Sequence, residues 1–455
     1  MPMGSAVRHC LIGHADPGAF VAYRADGPVS AQTFLRDVAG LARELPADKD
    51  VLNLCEDRYQ FAVTFAAVAL AGRINLLPQD RTPRTLEQVV ATHPDSFAIA
   101  EVPIAGCPAP VVLYETHHVA ATNTPAVPAI APDRVVALVF TSGSTGVPKP
   151  NVKRWGMLRA GASAERSALD LPTRFNILGT VPPQHMYGLE STVLLPLLAG
   201  GAFHVGRPLF PNDVAAALAQ MPPPRVLVTA PVHIRACLEA DVRFPDLDLI
   251  VSAAAPLSVA LAREAEQRYG TIVREIYGFT EAGMVAVRRT IDGGPWKTMP
   301  DILLVQTASE WSFTGGHVDS AKVATDAIEV LSPTTFNLAG RRDDIVNVAG
   351  KRASLADLSH KLAEIPGVID GVFHVPDAVD GAVQRLMAFV VAPDLTATAL
   401  RRALRTRIDP AFLPRPLVLV DRLPRAASGK LSLDSLRALE REYARNVTQR
   451  KRASD

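Results

Sequence analysis

Residues 141–149 read Thr141-Ser142-Gly143-Ser144-Thr145-Gly146-Val147-Pro148-Lys149, and this stretch decides how the rest of the chain is read. Six of the nine residues are Ser, Thr or Gly, and one Lys closes the block. The apolar run Val135-Val136-Ala137-Leu138-Val139-Phe140 precedes it, so the block leaves the end of a buried strand. Small residues let the backbone approach a polyanion closely, and successive N–H groups and hydroxyls can cradle its oxygens. Lys149 adds a mobile positive charge. The pattern predicts a phosphate-gripping loop. It is not a Walker loop, because Val147 and Pro148 separate Gly146 from Lys149. Nor is it a dinucleotide fingerprint, because no G-x-G-x-x-G follows the strand. A flexible Ser/Gly linker has the same composition and is the bland alternative.

At 455 residues the chain has material for roughly two or three domains. Its 48% hydrophobic and 20% charged residues describe a globular protein rather than a disordered one. A net charge of +1 argues against nucleic acid as a partner. Cys10, Cys55, Cys107 and Cys237 form no C-x-x-C pair, so neither a zinc site nor a disulfide framework is expected. No signal-like segment precedes Cys10, and no apolar run is long enough to span a bilayer. A cytoplasmic protein without a membrane span is expected. The basic end Arg450-Lys451-Arg452 reads as a frayed terminus.

Strand and helix signals alternate along most of the chain. A helix is expected over 60–72, a strand over 74–77, the strand over 134–140 and a helix over 155–169. Strand–helix alternation continues at 175–180, 191–198, 225–229, 232–239, 249–252 and 259–269. The Pro-rich stretch 124–132 reads as a surface connection. The predicted class is α/β: a large N-terminal domain, 1–342, of layered α/β subdomains with mostly parallel sheets. From 343 to 455 the pattern changes to a small α+β domain, with strands near 345–348, 367–375, 388–392 and 416–420 and helices over 355–364 and 397–408.

Four further blocks carry chemistry-bearing residues. Ile276-Tyr277-Gly278-Phe279-Thr280-Glu281 offers a stacking ring, a close backbone approach, and a hydroxyl and carboxylate for a phosphate or metal. Its plain structural reading is a helix start with Thr280 as the cap. Asp326 opens a strand and Arg341 follows in Gly340-Arg341-Arg342-Asp343-Asp344; a carboxylate there suits a vicinal diol, or else the cluster is a salt-bridged surface turn. Val348-Ala349-Gly350-Lys351 places a glycine for close backbone passage. Leu423-Pro424-Arg425-Ala426-Ala427-Ser428-Gly429-Lys430 puts a lysine on a small-residue loop, where it also reads as an ordinary exposed lysine.

Taken in order, these blocks resemble the acyl-adenylate-forming superfamily: acyl- and aryl-CoA synthetases, adenylation domains of peptide synthetases and beetle luciferases. The resemblance spans nearly the whole chain, and it implies ATP and Mg²⁺ as cofactors. It implies that Thr141, Ser142, Gly143, Ser144, Thr145, Gly146 and Lys149 hold the β- and γ-phosphates. Tyr277 and Gly278 would flank the adenine, Thr280 the α-phosphate and Glu281 the Mg²⁺. Asp326 would take the ribose hydroxyls, with Arg341 in support. Asp343 resembles the hinge of the C-terminal domain, Gly350 the glycine beside the thiol tunnel, and Lys430 the catalytic lysine between carboxylate and α-phosphate. His185, in Gln184-His185-Met186-Tyr187-Gly188, matches the position beside the substrate carboxylate.

Two departures stand out. Pro150 replaces the usual Gly after the loop lysine, which predicts a stiffer exit, and Ala324-Thr325-Asp326 replaces the usual T-G-D. Phe313-Thr314-Gly315-Gly316 supplies a nearby T-G without an Asp, and Ser435 in Leu433-Asp434-Ser435-Leu436 mimics a carrier-protein site but reads as structural. His185, Tyr187, Thr229, Ala254, Gly278 and Phe279 suggest a compact pocket for a hydroxylated aryl acid. The chain is similar to short bacterial aryl-acid AMP-ligases that load carrier proteins in aryl-polyene and xanthomonadin-type pigment pathways. That similarity implies 4-hydroxybenzoate or an analogue as substrate and the phosphopantetheine thiol of an acyl carrier protein as acceptor. The alternatives are an aryl- or short-chain acyl-CoA ligase using free CoA, a luciferase-like oxidising enzyme, and a non-enzymatic nucleotide-binding relative.

Overall fold

The structure, a computed structural model, describes residues 9–114, 127–142, 148–307, 310–341, 345–348, 351–376, 385–426 and 431–452. Two large sheets organise the described residues up to Arg341. In the first, six strands run in the order Pro148–Arg154, Val135–Ser142, Asn75–Leu77, Val51–Asn53, Phe97–Ala100 and Val111–Leu113. All neighbours are parallel except the first pair, which is an antiparallel hairpin. In the second sheet, the strands Phe20–Arg24, Ala202–His204, Asn176–Gly179, Arg225–Thr229, Leu249–Ser252 and Ile272–Phe279 form the parallel centre. Antiparallel strands complete its edges. The parallel strands are apolar on both faces (Val226, Val228, Ile250 and Val251 are all buried), as a sheet covered on both sides requires.

The expected helix over 60–72 is Arg58–Leu70. Asp57 caps it, its carboxylate accepting from the Tyr59 and Gln60 N–H groups at 2.9 and 3.0 Å. Nearly every residue of this helix is buried, because it packs in a core shared by both sheets, with Val51, Val136 and Val139 on one side and Phe203 and Leu197 on the other. Each fully buried side chain such as Phe61 or Val63 contributes about 1.5–3 kcal/mol.

Residues beyond 345 build hydrophobic cores of their own. Leu358, Leu362, Phe373, Ala388, Leu400 and Leu417 form one, and Met387, Phe389, Leu423 and Leu436 another. The three-stranded sheet Asp370–His374, Met387–Val391 and Leu417–Leu419 and the helices Leu355–Ala363 and Ala397–Leu404 match the expected α+β pattern. Ser435 lies in the first turn of the helix Leu433–Arg452, its N–H donating to Ser432 Oγ at 3.1 Å, in keeping with a structural role.

Four local expectations are corrected. The block at Tyr277 starts no helix: the strand Ile272–Phe279 turns at Thr280 and Glu281 and returns as Gly283–Arg289, so Thr280 caps nothing. The helix expected over 191–198 begins as a π-helical turn, Leu189–Leu194, before Leu195–Ala199 continues as α. Ala129–Ile130 is not a mere connection, for it pairs with His9–Cys10 and buries Ile130. The last helix runs on to Arg452, where a frayed end was expected. Among the described residues, no helix is long and apolar enough to cross a membrane.

Arg58 ties its helix to the second sheet. Its Nε donates to Thr192 Oγ1 (3.0 Å), Nη1 to the His204 and Gly206 carbonyls (2.9 and 2.8 Å), and Nη2 to those of Gly179 and Val181 (3.0 and 3.1 Å). All five donors of the guanidinium are used. Burial lowers its pKa only to about 10, so it stays charged near neutral pH. Arg58→Met should destabilise the protein by about 3–5 kcal/mol, because the acceptors lose their only described side-chain cation. Arg58→Lys, with three donors, should fall between, as the midpoints of chemical unfolding would show.

Candidate active site

The Ser/Thr/Gly block sits at the tip of the hairpin formed by Val135–Ser142 and Pro148–Arg154. Ser142 pairs with Pro148 and Thr141 with Lys149 in register, so the two ends of the block are held side by side. Gly143, Ser144, Thr145 and Gly146 lie outside the described residues. Asn151 staples the stem: its Nδ2 reaches the Val139 carbonyl (3.1 Å), the Lys149 carbonyl (3.2 Å) and Thr141 Oγ1 (3.3 Å). Pro150 is tolerated because its strand is the edge of the sheet, where a missing N–H breaks no ladder on the outer side. Lys149 is exposed.

The Tyr277 block forms the tip of a second hairpin. Gly278 is required there, since a Cβ would come within 2.5 Å of the Gly283 carbonyl oxygen, and the pairing shifts register at this point. The Tyr277 ring is only 8% exposed and packs among Phe279, Trp296, Phe313 and Phe336 at centroid distances of 5.7–6.3 Å. Its hydroxyl donates to Asp326 Oδ2 at 2.7 Å. Burial and the adjacent carboxylate hold the phenol protonated. Asp326 in turn stands opposite Arg341 in the hairpin Asp326–Ser332 and Thr335–Arg341. Three residues from two separate blocks thus meet, and Ala324-Thr325-Asp326 lands its carboxylate beside Tyr277.

The expected pocket residues gather at the carboxyl ends of the parallel strands, where ligands bind in open α/β sheets. Thr229 ends its strand opposite Ser252, and Ala254 follows two residues later. Ala254 has φ of 71°, the left-handed region, where a small residue is least strained. The Tyr187 hydroxyl lies 3.1 Å from the Thr229 carbonyl and 3.0 Å from that of Val251, so the backbone orients this ring. Thr229 Oγ1 is 2.8 Å from Thr180 Oγ1, which is 2.7 Å from His233 Nδ1. His185 precedes the short helix Met186–Gly188 and is half-buried; Gly188 presses on the Pro182 carbonyl, which fixes that turn. Phe279 is half-buried against Phe313. Asp343, Gly350 and Lys430 lie outside the described residues.

One buried polar cluster was missed by sequence reasoning. Lys153 is 1% exposed, and its Nζ donates to the Thr280 carbonyl. Lys153, Glu190 and His317 line one small cavity, together with Met157, Leu158, Met186 and Ala282. Beside it, Ser191 Oγ donates to Glu165 Oε1 at 2.7 Å. The signal lay in an inverted alternation: Asn151 and Lys153 are buried while Val152 between them is 49% exposed. Burial pushes the Glu165 carboxyl up to about 8 and the Glu190 carboxyl up to about 7, the latter against the pull of Lys153. Burial likewise lowers the Lys153 ammonium, against the pull of Glu190 and Glu281.

Thr280 and Glu281 present hard oxygen donors on a half-exposed turn. Among the described residues, no group of three or more His, Cys, Asp or Glu could cage a metal. A Mg²⁺ carried in by a polyphosphate needs only one or two carboxylates, and this turn fits that requirement.

A carboxyl that the fold holds protonated stabilises it at low pH, and that contribution disappears as pH rises from the ordinary carboxylate range through about 8. Glu165→Gln keeps an acceptor for Ser191 and removes this loss. It should melt about 5 °C or more above the parent protein at pH 9, and close to it near pH 5, in thermal scans across pH.

Comparison with known proteins places these features. A family profile described as "AMP-binding enzyme" matches residues 39–303, and one for the "AMP-binding enzyme C-terminal domain" matches residues 360–430. A 4-coumarate–CoA ligase of Rhodobacter capsulatus is 32% identical over 209 residues, 46% of this chain and 52% of that protein. The p-hydroxybenzoic acid–AMP ligase FadD22 of Mycobacterium marinum is 29% identical over 195 residues, 41% of this chain and 28% of that protein. The chain spans about half the length, or less, of these curated relatives. The fold is that of the o-succinylbenzoate–CoA synthetase MenE of Bacillus subtilis, solved with ATP and a magnesium ion: TM-score 0.76 at 18% identity, covering 92% of this chain and 96% of that one. With most of its length matched by that profile, this chain belongs to the AMP-binding enzyme family.

Proposed function

We propose that this protein uses ATP to activate a carboxylic acid as an acyl-adenylate and then passes the acyl group to a thiol. The acid is a hydroxybenzoate-type aryl acid such as 4-hydroxybenzoate, and the acceptor is the phosphopantetheine thiol of an acyl carrier protein. The observation that carries the reading is the Tyr277–Asp326 hydrogen bond with Arg341 opposite in register. It holds a carboxylate in a fixed orientation at the edge of an aromatic ring, an arrangement that suits recognition of a nucleoside. Support for an aryl acid comes from the compact group of Tyr187, Phe279, Thr229 and Ala254, and from relatives named for 4-coumarate and p-hydroxybenzoic acid.

In this reading, a carboxylate oxygen of the acid attacks the α-phosphorus of ATP, and the bond from that phosphorus to the bridging oxygen of the β-phosphate breaks. Pyrophosphate leaves along the 141–149 hairpin, held by Lys149 and the Ser/Thr/Gly block. Lys430 places its ammonium between the two anions, where a preorganised charge in a dry site has most effect. Mg²⁺, held through Glu281, neutralises phosphate charge when bound. His185 and Thr280 orient the acid carboxylate and the α-phosphate. In the second half-reaction a thiolate attacks the acyl carbon and AMP leaves with the bonding pair. Residues 1–342 and 343–455 form two domains, with Asp343 as the hinge between the steps and Gly350 beside the thiol path.

A second reading, transfer to free CoA, is favoured by the name of the R. capsulatus relative. Pyrophosphate exchange across a panel of acids should be strongest with hydroxybenzoates; exchange confined to medium or long fatty acids would refute the aryl assignment. Thioester formation with a carrier protein against free CoA then separates the two acceptors. Lys430→Ala should lower exchange about 100-fold to 1000-fold while leaving the melting temperature unchanged. Unchanged exchange in that variant would remove Lys430 from the mechanism.

A further inference from the structure

Lys153 has no part in the chemistry above, yet it is one of the most deeply buried charges among the described residues. Taking an ammonium out of water is costly unless its contacts are specific, and a methionine would fill the same volume without that cost. Its contacts are specific. Lys153 lies four residues beyond Lys149, on the return strand of the hairpin that carries the Ser/Thr/Gly block. Its Nζ donates to the main-chain carbonyl of Thr280, at the tip of the other hairpin.

Glu190 adjoins this contact. It shares the small cavity with Lys153, and it belongs to the π-helical turn Leu189–Leu194, a distortion that recurs at functional positions. The same carboxylate presses on the second hairpin: at Gly283, where φ is 82°, a Cβ would come within 2.6 Å of Glu190 Oε1. One ammonium and one carboxylate therefore touch or adjoin three segments: the strand Pro148–Arg154, the turn at Thr280 and Glu281, and the helix that begins after His185.

We propose that Lys153 is a positioning residue, with Glu190 as its countercharge, which fixes the Thr280 and Glu281 turn against the strand Pro148–Arg154 so that Mg²⁺-ATP meets Glu281 and Lys149 in a preset geometry. This rests on the ATP-dependent reading given above. Lys153 acts through the main chain of Thr280, and Glu190 through its charge and its close packing against Gly283.

The test compares Lys153→Met, Glu190→Gln and the double variant with the parent protein. ATP binding is measured by calorimetry over a series of Mg²⁺ concentrations, alongside pyrophosphate exchange and melting temperature. Lys153→Met should stay folded and bind ATP about tenfold more weakly at a given Mg²⁺ concentration, its Mg²⁺ dependence displaced upward. Its kcat for exchange should fall about 10-fold to 100-fold, with the KM for the acid unchanged. Glu190→Gln should move the same readouts less, and the double variant should be no worse than Lys153→Met, because the two act as one unit. The proposal is overturned if Lys153→Met keeps the parent Mg²⁺ dependence of ATP binding, or loses exchange only in proportion to its unfolded fraction. If the parent protein binds Mg²⁺-ATP but exchanges pyrophosphate with no acid, the ligase reading fails, and the calorimetric comparison alone decides the role of Lys153.

Discussion

A single buried guanidinium ties the helix Arg58–Leu70, which packs in the core shared by both large sheets, to the second of them. Arg58 begins this helix, and its five hydrogen bonds end on Thr192 in the π-helical turn and on four carbonyls at or just beyond strand ends of the second sheet. A cation at a helix N-terminus opposes the helix dipole, so the position is not favoured by local physics. The cap at Asp57 offsets part of that penalty, and the carbonyls of Gly179, Val181, His204 and Gly206 supply the rest. These carbonyls sit where strands end, and a buried carbonyl without a partner is itself destabilising. Arg58 and the strand ends therefore satisfy one another. The segment that follows Val181, with His185 and Tyr187, leaves from this anchored point.

From that anchor the site is built on hairpin tips and strand ends rather than on helix termini. The strands flanking the Ser/Thr/Gly block pair as an antiparallel hairpin on the first sheet, and the Tyr277 block forms the turn of another on the second. The strands below stiffen them. Asn151 ties the first stem, and the aromatic group around Tyr277 packs the second.

The buried polar cluster follows from the same geometry. Two hairpins from different sheets cannot share a backbone ladder, so a long side chain must cross between them, and Lys153 does so. Glu190, Glu165 and His317 are drawn into the same region, and burial shifts each towards its neutral form. The concentration of desolvated groups beside an expected phosphate site is typical of places where function, not stability, selects the residues.

Much of this was legible from the chain alone. The helix at Arg58–Leu70, the parallel strands from Asn176–Gly179 to Leu249–Ser252, and the α+β unit after 345 follow from period and from Gly and Pro punctuation, which are local properties. The family resemblance rested on motif blocks whose residue types are dictated by chemistry, and it led to the same family as the profile match. Less legible was whether the Tyr277 block turned into a helix or a hairpin, because Thr-Glu suits both a cap and a turn, and only the partner strand Gly283–Arg289 chooses between them. Arg58 and Lys153 were invisible as structural elements, since a charged residue in sequence reads as solvent-exposed. The sequence by itself determined the α/β class, many of the elements, the order of the motif blocks and the family. Tertiary structure alone decided that Tyr277 bonds Asp326, that Arg58 ties its helix to the second sheet and that Lys153 bridges the hairpins, because each of these contacts joins residues far apart in the chain and depends on burial that no local pattern encodes.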